Sequence, residues 1–206
     1  MPFRLLSISA AEHHSSELAV LPQLFEAGLT VFHVRKPAWS RAELEAYLQA
    51  IPSRYYGRLV LHAYYELALH YPLKGIHLTA KARQDATLSQ LLRQLPGRSV
   101  SASFHSLEEV ARHRRRYDYV FLSPIFDSLS KAGYRSGFDL AEVAAFLQRL
   151  AARPAYRPAV LALGGITAQN LGLVRPAGFA GAAVLGSIWQ SPDPVAAWRQ
   201  LQAAAT

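Results

Sequence analysis

Most of the side chains able to do chemistry stand where short apolar runs stop. Leu163-Gly164-Gly165-Ile166-Thr167 and Val184-Leu185-Gly186-Ser187-Ile188 each end such a run on glycine. Turns of this kind let backbone amides face an anion, and a helix start just beyond adds favourable partial charge. Val31-Phe32-His33-Val34-Arg35-Lys36-Pro37 sets His33 and Arg35 two residues apart, on one side of an extended strand. Burying both costs several kcal/mol without partners, so an anionic ligand or a carboxylate, Glu66 or Asp127, is required nearby. His62, His77 and Ser103 close three further runs. Histidines at neighbouring strand ends serve either as hydrogen-bonded pocket residues or, less often, as metal ligands. Imidazoles without a carboxylate make a poor magnesium site. A long polar segment, 123–134, carries Ser128, Ser130 and Lys131. Hydroxyls beside a lysine suit an oxyanion or pyrophosphate clamp, although loops are polar in any case. Lysine is rare here: Lys36, Lys74, Lys81 and Lys131 are the only four.

The elements that must carry these residues follow from periodicity. Runs rich in β-branched and aromatic residues at 3–7, 30–34, 59–62, 75–78, 99–104, 117–122, 160–163 and 181–185 alternate with amphipathic helical patterns. Alternation of this sort implies a parallel sheet. Eight repeats in 206 residues predict α/β architecture closed into a single-domain (β/α)8 TIM barrel, at the small end of that fold. The rival, a doubly wound open sheet, wants a glycine-rich turn after the first strand, where Ser7-Ile8-Ser9-Ala10-Ala11-Glu12 stands. In a barrel, phosphate is often held by the loops after strands seven and eight, which is where the two glycine turns fall.

Composition narrows the partners. Apolar residues make up 51% and charged residues 17%, which excludes a disordered chain, and cysteine is absent, which excludes thiolate chemistry and disulfides. No apolar run reaches the length of a membrane span or of a signal peptide's apolar region, so a cytoplasmic location and no membrane partner are expected. The net charge of +8 points first to nucleic acid. Yet the one dense run, Arg112-His113-Arg114-Arg115-Arg116, lacks interleaved aromatics and reads as a solvated helix face. A diffuse positive field also suits phosphorylated small molecules, so no nucleic-acid partner is expected. Self-association is left open.

Several motifs together resemble the thiamin phosphate synthase superfamily, which includes the thiazole tautomerase (TenI-like) branch. They are His33-Val34-Arg35-Lys36-Pro37, Gly75-Ile76-His77-Leu78, Ser103-Phe104-His105-Ser106-Leu107-Glu108-Glu109, Asp118-Tyr119-Val120 with Ser123-Pro124-Ile125-Phe126, Ser128-Leu129-Ser130-Lys131 and Ala162-Leu163-Gly164-Gly165-Ile166. The resemblance implies coupling of a thiazole phosphate to a hydroxymethylpyrimidine diphosphate, with pyrophosphate leaving with magnesium assistance. It implies that Arg35 and Lys131 hold the pyrophosphate and that Ser103 faces the pyrimidine and the leaving group. Ser128 and Ser130 would line the lysine loop, while Gly164-Gly165-Ile166 and Gly186-Ser187 would cradle the thiazole phosphate. His33, Lys36, His62 and His77 are expected around the substrates.

The departures from the family pattern are specific. Arg35-Lys36-Pro37 replaces Arg-Glu-Lys, His62-Ala63 replaces Asn-Asp, and Thr79-Ala80-Lys81-Ala82 replaces Gly-Gln-x-Asp. Ala63 and Ala82 thus stand where the family carries its two magnesium aspartates, so no metal or other cofactor is expected. The tautomerase branch often has a histidine where Pro124 stands. Two functions follow: a synthase-like enzyme of thiamin biosynthesis, or a tautomerase-like or binding protein for thiazole phosphate or thiamin phosphate.

Overall fold

Eight parallel strands close into a barrel in sequence order, β1 next to β2 and onward until β8 pairs again with β1. The structure, a computed structural model, describes residues 2–127, 137–154 and 156–205. The strands are β1 (Arg4–Ile8), β2 (Phe32–Val34), β3 (Leu59–Leu61), β4 (Gly75–Leu78), β5 (Ser99–Phe104), β6 (Tyr119–Leu122), β7 (Ala159–Leu163) and β8 (Gly181–Val184). The helices are α1 (Glu17–Glu26), α2 (Arg41–Ala50), α3 (Leu67–His70), α4 (Leu88–Arg93), α5 (Leu107–Arg112), α6 (Leu140–Ala151), α7 (Gly186–Trp189) and α8 (Pro194–Ala204).

Two differences from the sequence reading have physical reasons. After β7 the chain makes only a 3-10 turn, Leu171–Leu173, among glycines and a proline that disfavour a longer helix. Leu171, Val174 and Ala177 still bury themselves against the barrel there. The arginine run is not a helix face: α5 ends at Arg112, which pairs with Glu108 at 2.8 Å, and 113–116 form the loop into β6. That loop lies at the end of the barrel opposite the C-terminal strand ends.

Period-2 alternation along the strands builds two cores. Phe32, Val34, Leu59, Leu61, Ile76, Leu78, Ala102, Phe104, Val120 and Leu122 face the helices and join the larger one. The barrel interior is lopsided. Leu6, Ile8, Phe121, Leu161 and Ala183 fill one side, whereas buried His33, His77 and Ser101 occupy the other. Among the described residues, no helix is long and apolar enough to cross a membrane.

Candidate functional site

The C-terminal strand ends surround a cavity of about 330 Å³. It brings together Arg35, His62, His77, Ser103, Gly164, Gly165, Ile166, Gly186 and Ser187. One wall is formed by the two glycine loops. Gly164 and Gly165 adopt φ of +95° and +63°, a region that L side chains rarely enter. A Cβ at Gly165 would lie 2.2 Å from the Asp127 carbonyl oxygen, so this turn packs directly on the 123–127 segment. Asn170 holds the loop by donating to the Gly165 carbonyl at 2.8 Å and accepting from the Thr167 amide at 2.8 Å. Beside it, beyond the neighbouring strand β8, α7 begins at Gly186. The buried Ser187 Oγ finds no hydrogen-bond partner among the described residues. A buried hydroxyl without a partner costs about 1–3 kcal/mol, and a bound anion would relieve that cost.

Elsewhere His62 and His77 line the cavity, with His33 buried beneath them. His33 Nδ1 lies 2.9 Å from His62 Nε2, and His33 Nε2 lies 2.7 Å from the Tyr119 hydroxyl. His77 contacts Ser101 Oγ at 2.9 Å through Nδ1 and Ser103 Oγ at 2.8 Å through Nε2. Burial pushes His77 down to about 3, with the Arg83 and Arg35 charges adding to it. Burial and neighbouring imidazoles likewise hold His33 and His62 well below the usual histidine range. All three are therefore uncharged at neutral pH, as a positively charged trio in this interior would repel itself.

Not every predicted residue reaches the cavity wall. His33 sits one layer deeper, fully buried beneath His62. Lys36 turns away altogether: its ammonium pairs with Glu17 at 2.7 Å, with side-chain exposures of 1% and 2%. Trp39 and Tyr47 cover that ammonium at 4.8 and 5.4 Å. The expected role of Lys36 in holding substrate is corrected on this ground, because its charge is already matched. Glu66, considered as a partner for Arg35, pairs with Arg41 at 3.4 Å instead. Among the described residues Arg35 makes no ion pair, and it lines the cavity. Ser128, Ser130 and Lys131 lie outside the described residues. Sequence reasoning passed over His105 and Thr79 as site residues, although both follow strand ends and line the cavity. His105 Nδ1 sits 3.0 Å from the Ser123 carbonyl oxygen.

Comparison with known proteins places the chain in a family. Residues 5–188 match the family described as thiamine monophosphate synthase. The chain belongs to that family. It is 29% identical over 185 residues to the thiamine-phosphate synthase of Latilactobacillus sakei, covering 85% of this chain and 79% of that one. With the thiamine-phosphate synthase of Klebsiella pneumoniae it shares 28% identity over 208 residues, covering 100% and 94%. The crystal structure of thiamine phosphate pyrophosphorylase from Bacteroides thetaiotaomicron superposes with a TM-score of 0.78 at 30% identity, covering 98% of both chains.

The magnesium that the family pattern implies does not fit these residues. Magnesium wants hard oxygen donors in octahedral array, and the described cavity lining offers imidazoles and no carboxylate. The histidine trio does not suit a softer ion either, although its nitrogens lie within 4.8 Å of one another. His62 and His77 are stacked, with centroids 4.2 Å apart and planes 19° apart. Nitrogen lone pairs lie in the ring planes, so two stacked rings cannot both aim at one ion about 2.0–2.1 Å away.

Proposed function

We propose that this barrel performs a synthase-like step of thiamin biosynthesis on a phosphorylated thiazole and a pyrimidine diphosphate, without a resident magnesium site. The observation that carries the reading is the meeting of Arg35 and Ser103 with both glycine loops in one cavity. The phosphate of the thiazole would accept from backbone amides at Gly164-Gly165 and Gly186-Ser187. Departure of pyrophosphate develops negative charge on the leaving oxygens, and fixed cations stabilise that charge most in the transition state. Arg35 is the described cation placed to do so, with Lys131 as its proposed partner. The reading includes a cytoplasmic location and no nucleic-acid or membrane partner.

Missing carboxylates favour a second reading, in which the cavity binds thiazole phosphate or thiamin phosphate with little or no coupling. A steady-state assay of thiamin phosphate formation, with magnesium and with chelator, separates the two. Slow turnover, insensitive to chelator, is expected of the unmodified protein. Introducing Ala63→Asp and Ala82→Asp together should make the rate respond to magnesium. Rapid magnesium-dependent turnover by the unmodified chain would overturn the proposal. If there is no turnover but thiazole phosphate still raises the melting temperature, the binding reading stands.

A further inference from the structure

The ladder between β1 and β2 ends in an unusual way. Ser7 pairs with Phe32 and Ile8 with His33, and the Ser9 amide then donates to the His33 carbonyl at 2.9 Å. A parallel ladder carried further would pair the amide and carbonyl of Arg35 with backbone groups of the next β1 residues. The chain leaves instead. The Ala10 amide turns to the Glu17 carboxylate at 2.8 Å, and Ala11 and Glu12 form a bend. The Ser9 side chain takes over the two abandoned places. Its Oγ accepts from the Arg35 amide at 2.8 Å and donates to the Arg35 carbonyl at 3.0 Å.

The direction of both bonds is fixed, because an amide N–H only donates and a carbonyl only accepts. The single proton of Ser9 is therefore committed to Arg35. Ser9 is fully buried, so water does not replace it in the free protein. On the other side of Arg35, Lys36 is anchored by Glu17, the same carboxylate that holds Ala10. Arg35 thus has its backbone held by one hydroxyl and its following residue held by an ion pair. Its side chain alone is left to meet a ligand, at the cavity wall.

We propose that Ser9 is the positioning residue for Arg35, fixing the point from which the guanidinium enters the cavity. Ser9 does not line the cavity, so its effect on a bound anion passes through Arg35. A binding group displaced by about 1 Å loses much of its effect, and a backbone held at both polar groups prevents that. The proposal rests on the reading that Arg35 holds a diphosphate.

Titration calorimetry with pyrophosphate in chelator-treated buffer compares the parent protein, Ser9→Ala, Arg35→Ala and the double variant. Ser9→Ala should weaken pyrophosphate binding about threefold to tenfold, the scale of one hydrogen bond. In the Arg35→Ala background the same change should cost less than about twofold, because the group it positions is gone. Thiazole phosphate affinity of Ser9→Ala should stay within about twofold, since its expected amide donors lie on other strands. An equal loss of pyrophosphate affinity with and without the guanidinium, or a loss shared by thiazole phosphate, would overturn the proposal. Ser9→Cys keeps the size, offers a weaker donor and acceptor, and serves if the alanine variant does not fold. Hydrogen exchange at the Arg35 amide is followed on the free protein and should quicken about tenfold or more in the variant. Unchanged exchange overturns the backbone clamp, whatever the ligand does. If Arg35→Ala binds pyrophosphate as the parent does, the diphosphate reading fails and takes the binding role of Ser9 with it, while exchange still decides the clamp.

Discussion

Arg35 and Lys36 leave the same strand end and enter opposite environments. Arg35 lines the first cavity and makes no ion pair among the described residues. Lys36 borders a second hollow of about 470 Å³ beside α1 and α2, where Glu17 neutralises it. Glu17 is itself saturated: it accepts from Tyr47 at 2.6 Å and from the Ala10 amide at 2.8 Å. One cation stands at the cavity with no ion pair among the described residues, and its neighbour is part of the scaffold. Residue type does not separate the two roles; the carboxylate that α1 delivers does. Changes around Lys36 should therefore move stability, and changes around Arg35 should move binding.

Acid provides the largest expected effect, because the first cavity rests on the neutral histidines. Unfolded histidines titrate near about 6.5, while His77 is held at about 3 and His33 and His62 also lie well below their usual range. Between those values the unfolded chain binds more protons, so stability falls as pH drops through about 6.5. Each histidine contributes up to about 1.4 kcal/mol per pH unit in that window. Melting curves between pH 7.5 and 5 should show this loss starting above the carboxylate range. In the folded variant His77→Gln the slope should shrink by about a third, one of three such groups being gone. A flat melting temperature across that window would place the histidines in contact with solvent.

Next comes the second hollow. Glu17→Ala leaves a buried ammonium, an amide and a phenol without their acceptor. Breaking such a pair costs about 3–5 kcal/mol, or roughly 10 °C in melting temperature for a chain of this size. The double change Glu17→Leu with Lys36→Met removes both charges and should recover most of that loss. Thiazole phosphate affinity, measured by calorimetry on the folded variants, should stay within about twofold if Lys36 plays no part in binding. A large fall in affinity would put the second hollow in the functional site.

The same contrast shows what the sequence makes legible. Strands β4 and β5 and helix α8 stand where periodicity places them, because each has a clean pattern and clear boundaries. The glycine loop after β7 was readable as well, since Gly164 and Gly165 sit at φ of +95° and +63°, where glycine is favoured. The fate of Lys36 was not, because its partner lies 19 residues earlier on an element whose rotation no local pattern fixes. His33 was placed on the correct face but at the wrong depth. Alternation gives the direction of a side chain, whereas its height in the barrel depends on strand stagger.

On the binding side of the contrast, Arg35→Ala removes a partly exposed guanidinium with no described ion-pair partner. Stability should change by less than about 0.5 kcal/mol, as for most substitutions away from packed features. Pyrophosphate affinity should fall about tenfold or more, the scale of a hydrogen bond to a charged group. Titration calorimetry in chelator-treated buffer checks both the affinity and its independence of magnesium. Unchanged affinity would move the diphosphate site away from β2.

The smallest expected effect is the most selective one. Ser187 Oγ is buried at the cavity wall with no partner among the described residues, so the free protein gains nothing from its hydroxyl. Ser187→Ala should therefore leave the melting temperature unchanged or raise it slightly, since it removes an unsatisfied polar atom. In the complex the same hydroxyl is expected to donate to a phosphate oxygen, and losing that bond should weaken thiazole phosphate binding about threefold to tenfold. Backbone amides at Gly186 and Gly165 survive the change, which is why the loss stays small. Opposite signs in the two measurements, stability kept and affinity lowered, would mark an atom held ready for ligand. Equal losses in both would show Ser187 to be structural, and no loss in either would move the anion off α7 and onto the Gly164-Gly165 turn alone.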